Sequence, residues 1–284
     1  MSVIGCGHWG KNLIRNFKSI GSLVSICDLN YELANKIGEE FDVKVESFDD
    51  ILKSNEVEGV VIASPAQFHC ELGVKALNAK KNIFVEKPLA LNLVEADKLI
   101  SCSIENDKIL MVGHLLQYHS AFKKLKDLIF SNEYGNLKYV TSSRLSLGKI
   151  RSNEDVIWSF APHDISMALS LVNSSPVSVF CVASRILNEE LVDDSTLIIS
   201  FKNGVKAKIM CSWISPFKEQ KLSVMTNDGS FIFDDTSNWK DKLKFLPFSI
   251  NTISNERVIK KEAVKDILLE ESEPLRNECI HFLD

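Results

Sequence analysis

The chain opens with a short strand pattern, Met1-Ser2-Val3-Ile4, that runs directly into Gly5-Cys6-Gly7-His8-Trp9-Gly10. Next comes a helical stretch, Lys11 to Lys18, with Leu13, Ile14 and Phe17 on one face. No other stretch limits the fold as strongly. A Gly-x-Gly-x-x-Gly turn held between a strand and a helix has the form of a dinucleotide-binding corner. Gly5 allows the tight turn, Gly7 lets a pyrophosphate approach backbone N–H groups, and Gly10 lets the helix pack closely on the strand. The helix N-terminus then faces the phosphates, with His8 and Trp9 inside the cofactor-binding turn.

Leu23 to Cys27 reads as a second strand ending at Asp28. An acid at that place accepts hydrogen bonds from the ribose hydroxyls. The following Leu29-Asn30-Tyr31 supplies no cation for a 2′-phosphate, so NAD is expected in preference to NADP. The competing reading of Asp28 is a cap for the helix that begins near Asn30. The alternation continues with a capped short helix from Ser47 to Ser54, a buried-type strand from Val57 to Ala63, and a helix from Ala66 to Ala79. A strand from Asn82 to Val85, a helix capped by Asn92 and running to about Asn106, and a strand from Ile109 to Val112 complete it. Strands separated by helices imply parallel βαβ units. The first half is therefore an α/β, Rossmann-type domain, and the loops at Gly5, Asp28, Ser64, Glu86 and Gly113 are expected to meet beyond the strand ends.

Past Tyr118 the pattern changes. Phe122, Leu125, Leu128 and Ile129 mark an amphipathic helix, Asn136 to Leu145 a strand, and Ala161 to Val172 another helix. Strand-like runs then follow one another: 177–186, 196–201, 205–213, 221–226 and 230–233. Asn203-Gly204 and Asp228-Gly229 between runs are hairpin signals, so this half is an α+β domain with a mostly antiparallel open sheet. Residues 256–273 are rich in both charges and read as a solvated helix or excursion, with another helix beginning close to Asp284. The expected domains are 1–118, binding NAD, and 119–284, binding substrate.

A chain of 284 residues with a net charge of −5 and no basic block offers no broad footprint for nucleic acid or for an anionic membrane. No apolar run reaches the roughly 18–20 residues of a membrane-spanning helix. Seven scattered cysteines with no Cys-x-x-Cys pair point to reduced thiols and a cytoplasmic setting. The histidines and cysteines form no compact ligand pattern, and no metal is expected. A small molecule is the expected partner.

Five motifs remain: the glycine turn, Ser64-Pro65 with His69 after it, Glu86-Lys87-Pro88, Gly113-His114, and Pro162-His163-Asp164. Their order and spacing resemble the glucose-fructose oxidoreductase / inositol dehydrogenase / MocA family, from the first residues to Glu273-Pro274-Leu275-Arg276-Asn277-Glu278-Cys279. The resemblance implies an NAD(P)-dependent oxidoreductase of a sugar, cyclitol or related polyol. It also implies a homodimer or homotetramer formed through the C-terminal sheet. Within the family, Trp158-Ser159-Phe160-Ala161-Pro162-His163-Asp164 looks most like the nucleotide-sugar 3-dehydrogenases.

Oxidising a secondary alcohol requires a base for the hydroxyl proton and a carbon–hydrogen bond aimed at the nicotinamide. His163 is the candidate base, since neutral imidazole suits neutral operation. Lys87 is expected to hydrogen-bond the reacting oxygen and stabilise alkoxide charge. Ser64, Pro65, His69 and Glu86 are assigned to the cofactor; His114, Gln117, Ser159 and Asp164 join Lys87 and His163 around the substrate. Structural alternatives stand beside these roles: Lys87 pairing only with Glu86, His163 capping or packing, His69 and His114 making structural hydrogen bonds, and Asp164 serving the helix dipole. His119 is read as structural. Ser159 stands where many relatives carry an acid one helical turn before the histidine, and Gln117 where an Arg is frequent. The leading expectation is oxidation of C3 of a UDP-linked N-acetylhexosamine. A cyclitol or free-sugar dehydrogenase, a ketoreductase and a silent NAD-binding regulator are the alternatives.

Overall fold

In the computed structural model, which describes residues 1–152, 154–187, 189–253 and 256–284, the chain divides into two compact units. The first is Met1–Leu115 with Glu273–Asp284, and the second is Leu116–Ser272.

The first unit runs β1 (Ser2–Ile4), α1 (His8–Ile20), β2 (Ser25–Cys27), α2 (Tyr31–Phe41), β3 (Lys44–Val45), α3 (Phe48–Lys53) and β4 (Gly59–Ile62). It continues with α4 (His69–Asn78), β5 (Asn82–Glu86), α5 (Leu93–Asn106) and β6 (Leu110–Gly113). The six strands form one parallel sheet in the order β3-β2-β1-β4-β5-β6. Successive strand residues point to opposite faces, and both faces are apolar. Val3 and Phe84 pack with Leu13, Ile14 and Phe17 of α1, while Ile4, Ile83 and Val85 pack with Leu77 and Leu99 on the other side. The expected caps form: Ser47 Oγ accepts from Asp50 N at 3.1 Å and Asn92 Oδ1 from Glu95 N at 2.9 Å.

The second unit runs α6 (Ser120–Phe130), β7 (Tyr139–Leu147), α7 (Val156–Val172), β8 (Pro176–Ser184), β9 (Asp194–Phe201), β10 (Lys206–Ser212) and β11 (Ile214–Met225). Then come β12 (Gly229–Asp234), β13 (Leu243–Ile253), β14 (Glu256–Lys261) and β15 (Lys265–Asp266). Eight strands lie in the order β14-β13-β12-β11-β7-β10-β9-β8, with β15 paired to β13; β7 and β10 are parallel and the other pairs antiparallel. Met167, Ala168 and Leu171 of α7 and Phe122 and Leu125 of α6 share one core with Trp213, Phe231 and Phe233 of the sheet.

Three sequence expectations are corrected. Residues 256–273 contain strands: β14 pairs along β13, and all its side chains are exposed, so it carries no buried face for a periodicity to reveal. Helix α7 starts at Val156, because Asp155 caps it by accepting from Trp158 N at 3.0 Å; Pro162 therefore lies inside the helix. The last helix, α8 (Pro274–Leu283), belongs to the first unit, whereas the sequence reading carried the second domain to its end. Its Leu275, Cys279 and Phe282 complete the α1 side of the sheet, with the Phe282 and Phe84 rings edge to face at 5.6 Å.

Candidate active site

In the first unit the candidate residues gather at the carboxyl ends of β1, β2, β4, β5 and β6. Gly5 has a φ of +99°, in the region that favours glycine. A Cβ on Gly10 would lie 1.8 Å from the Gly5 carbonyl oxygen, whereas one on Gly7 would meet nothing within 4 Å. The turn is thus closed at Gly10 and open at Gly7, and α1 begins at His8 with no side-chain cap and no acid in its first turn. That combination leaves backbone N–H groups for an anion. Asp28 approaches the same turn: its Oδ2 accepts from Cys6 N at 2.6 Å and its Oδ1 from Asn30 N at 2.8 Å. Burial, with Asp28 and Cys27 adding to it, pushes the Cys6 thiol up to about 12, so it is not a nucleophile at neutral pH. The donors and the open backbone fit a dinucleotide.

His69 is buried, with Nδ1 2.8 Å from Pro88 O and Nε2 2.8 Å from Ser64 O, and burial lowers its pKa. The ring ties the Ser64-Pro65 loop to the turn after β5. Ser64 Oγ is buried without a hydrogen-bond partner among the described residues.

Glu86 ends β5 and is nearly enclosed. Its Oε1 accepts from Trp9 Nε1 at 2.5 Å and its Oε2 from Lys87 N at 3.3 Å. Burial raises its carboxyl to about 7, against the lowering effects of the Trp9 N–H and the Lys87 charge. The Lys87–Pro88 peptide is cis. His114 follows β6, and its pKa is lowered by burial and then by the Lys87 charge, which keeps that ring neutral.

In the second unit, Ser159, His163 and Asp164 lie on α7. Gln117 Nε2 donates to Ser166 Oγ at 3.4 Å, and Ser166 Oγ donates to the His163 carbonyl at 2.8 Å, placing Gln117 beside that helix. Asp164 is 1% exposed and engaged on both oxygens: Oδ1 accepts from Ser142 Oγ at 2.5 Å and Oδ2 from Arg144 Nε at 2.6 Å. His119 is buried, stacks on Trp239 with ring centroids 5.2 Å apart, and lies 3.5 Å from Asp235.

Two residues escaped the sequence reading, and each carried a signal. Arg144 shares its strand face with Val140 and Ser142, at every second position of β7, so the pleat directs it inward. Glu278 lies among Leu275, Cys279 and Phe282 at helical spacing, so the buried stripe of α8 includes an acid.

Residues 1–114 match the oxidoreductase family with an NAD-binding Rossmann fold, and residues 122–232 match the GFO/IDH/MocA C-terminal domain. The UDP-N-acetylglucosamine 3-dehydrogenase of Acidithiobacillus ferrooxidans is 27% identical, with 88% of this chain and 74% of that one covered. Its crystal structure superposes with a TM-score of 0.86 at 26% identity, over 99% of this chain and 86% of that one. The myo-inositol 2-dehydrogenase of Thermotoga maritima is also 27% identical, with 83% of this chain and 75% of that one covered.

Proposed function

Because the chain belongs to the GFO/IDH/MocA oxidoreductase family, we propose that it is an NAD-dependent dehydrogenase that oxidises the C3 hydroxyl of a UDP-linked N-acetylhexosamine, such as UDP-N-acetylglucosamine, to a 3-keto sugar. The observation that carries this reading is the likeness to the Acidithiobacillus UDP-N-acetylglucosamine 3-dehydrogenase, which extends over 99% of this chain.

NAD, when bound, supplies the hydride acceptor. Gly5, Gly7, His8, Trp9 and Gly10 form its phosphate corner, with Ser64, Pro65, His69 and Glu86 along the neighbouring strand ends. Asp28 keeps lone pairs for ribose hydroxyls and repels a 2′-phosphate, which favours NAD over NADP. Lys87 holds the reacting oxygen and stabilises its developing charge, and His163 takes the hydroxyl proton. Ser159, His114 and Gln117 contribute neutral hydrogen bonds to the sugar. Asp164, with both oxygens engaged, assists chiefly by fixing α7. The protein works in the cytoplasm as a homodimer or homotetramer. Exposed Val177, Val179, Phe180 and Val182 on edge strand β8 support a sheet-mediated contact.

NADH formation, followed by absorbance with UDP-N-acetylglucosamine, free N-acetylglucosamine and myo-inositol side by side, tests the substrate. Turnover of the UDP sugar is expected; turnover of inositol alone would sink the reading in favour of a cyclitol dehydrogenase, which the Thermotoga relative at equal identity supports. Lys87→Ala and His163→Ala are each expected to lower kcat by about two to four orders of magnitude with NAD affinity little changed. NADP turned over as well as NAD would overturn the cofactor preference.

A further inference from the structure

The first unit contains a second acid on the Glu86 side of its sheet. Glu278 of α8 is 0% exposed, and neither carboxyl oxygen has a hydrogen-bond partner among the described residues. Phe84 and Glu86 lie two apart on β5 and so share one face, and Phe84 touches Phe282, one turn beyond Glu278. The two acids therefore occupy one layer, and among the described residues Glu86 is the charged group that acts on Glu278.

Their surroundings hold little positive charge. On the α1 side, Trp9 contributes a neutral N–H to Glu86, and Arg15 is paired with Glu273. The turn after β5 brings Lys87, which acts on Glu86, and β6 leads into His114. Helix α8 adds Cys279, Glu273 and Arg276; the Cys279 thiol is pushed well above its usual range by burial and then by Glu278, Glu86 and Glu273, against Arg276. A buried carboxylate with neither cation nor donor is strongly disfavoured, so Glu278 is held as the neutral acid. Burial and then Glu86 push its carboxyl up to about 9. Leucine or glutamine would fill the same volume without a group that resists ionisation. Stability alone does not account for an acid there.

We infer that Glu278 is a positioning residue: with Glu86 it forms a buried pair of carboxyls on one face of the sheet, and the charge of that pair sets how strongly the first unit prefers oxidised, positively charged nicotinamide over the reduced, neutral form. This rests on the cofactor reading above and is independent of the sugar. The balance is simple. NAD⁺ binding favours the anionic pair and releases up to one proton to solvent; NADH binding releases none. Like charges in one pocket cannot ionise together, so the pair titrates in two steps that belong to both groups.

The test measures NAD⁺ and NADH dissociation constants by fluorescence, on the full chain without sugar, from about pH 5.5 to about pH 10. In the unmodified protein the preference for NAD⁺ over NADH is expected to rise with pH in two steps, by about tenfold overall. Glu278→Gln and Glu86→Gln are each expected to leave a single step in place of two, and in Glu86→Gln that step lies below the upper step of the unmodified protein because the repulsion from Glu86 is gone. A Glu278→Gln profile superimposable on that of the unmodified protein would overturn the inference. If that variant does not fold, the infrared carbonyl band of the unmodified protein decides: a protonated carboxylic acid at about pH 8 supports the pair, and its absence overturns it. The two steps with no turnover of any nucleotide sugar would remove the substrate reading and leave this one standing. A flat preference with turnover intact would remove this one alone.

Discussion

Two buried acids, Asp164 in the second unit and Glu278 in the first, are treated in opposite ways. Asp164 meets a guanidinium at 2.6 Å and a hydroxyl at 2.5 Å, both from β7. Glu278 has no hydrogen-bond partner among the described residues, and the charge that acts on it is another acid, Glu86. The first arrangement fixes a helix: α7 is bolted to the sheet one residue from His163, so the imidazole's place is set by an ion pair. The second arrangement leaves the fold carrying a proton it can lose. A scaffold acid and a titrating acid differ less in burial than in what faces them.

The sharpest way to break the contrast is to remove the cation. Arg144→Ala leaves Asp164 buried without its ion pair and is expected to destabilise the chain by about 3–5 kcal/mol, read by urea unfolding. A cost below about 1 kcal/mol would mean that Asp164 needs its partner no more than Glu278 does. Gly10→Ala places a methyl group against the Gly5 carbonyl, and a loss of about 1–3 kcal/mol is expected together with a large drop in NAD affinity. An unchanged affinity would show that the turn has room to yield.

The acid pair gives the next effect, and its sign is opposite to that of a salt-bridged carboxylate. Folded-state values of about 7 for Glu86 and about 9 for Glu278 lie above the ordinary carboxyl range, so between the two the folded chain binds protons that the unfolded chain releases. Their contribution is intact below about pH 4.5 and declines as pH rises through about 9. Glu278→Gln is expected to flatten that decline, raising the melting temperature at about pH 8 by about 2–4 °C per kcal/mol recovered. A melting curve that falls as steeply with pH as before would remove Glu278 from the account. The smallest effect belongs to Trp9→Phe, which takes away the N–H that favours the charged form of Glu86. The lower step in NAD⁺ preference is expected to move to higher pH, by about half a unit.

What was legible in the sequence followed the same division. The glycine turn and the caps at Ser47 and Asn92 are local devices, each read from a few neighbouring residues. The hairpin at Asn203-Gly204 is also local, with Gly204 at φ +86° between antiparallel β9 and β10. The pairing of Arg144 with Asp164 joins residues 20 apart, and Glu278 is coupled to Glu86 from the far end of the chain. Neither pattern names its partner. Strand β14 is hidden for a related reason: hydrogen bonds to β13 define it, and its two apolar residues, Val258 and Ile259, are adjacent and exposed between charged ones, so no alternation marks a buried face.

Helix α8 also bears on how the protein is made. The first unit is discontinuous, and its core lacks Leu275, Cys279 and Phe282 until the whole second unit has left the ribosome. Synthesis proceeds from the N-terminus, so the nucleotide-binding unit is the first to be started and the last to be completed. A messenger cut short after Leu115 would encode every residue of the glycine turn and still yield a sheet whose α1 side is only partly covered, a target for a cell's proteases.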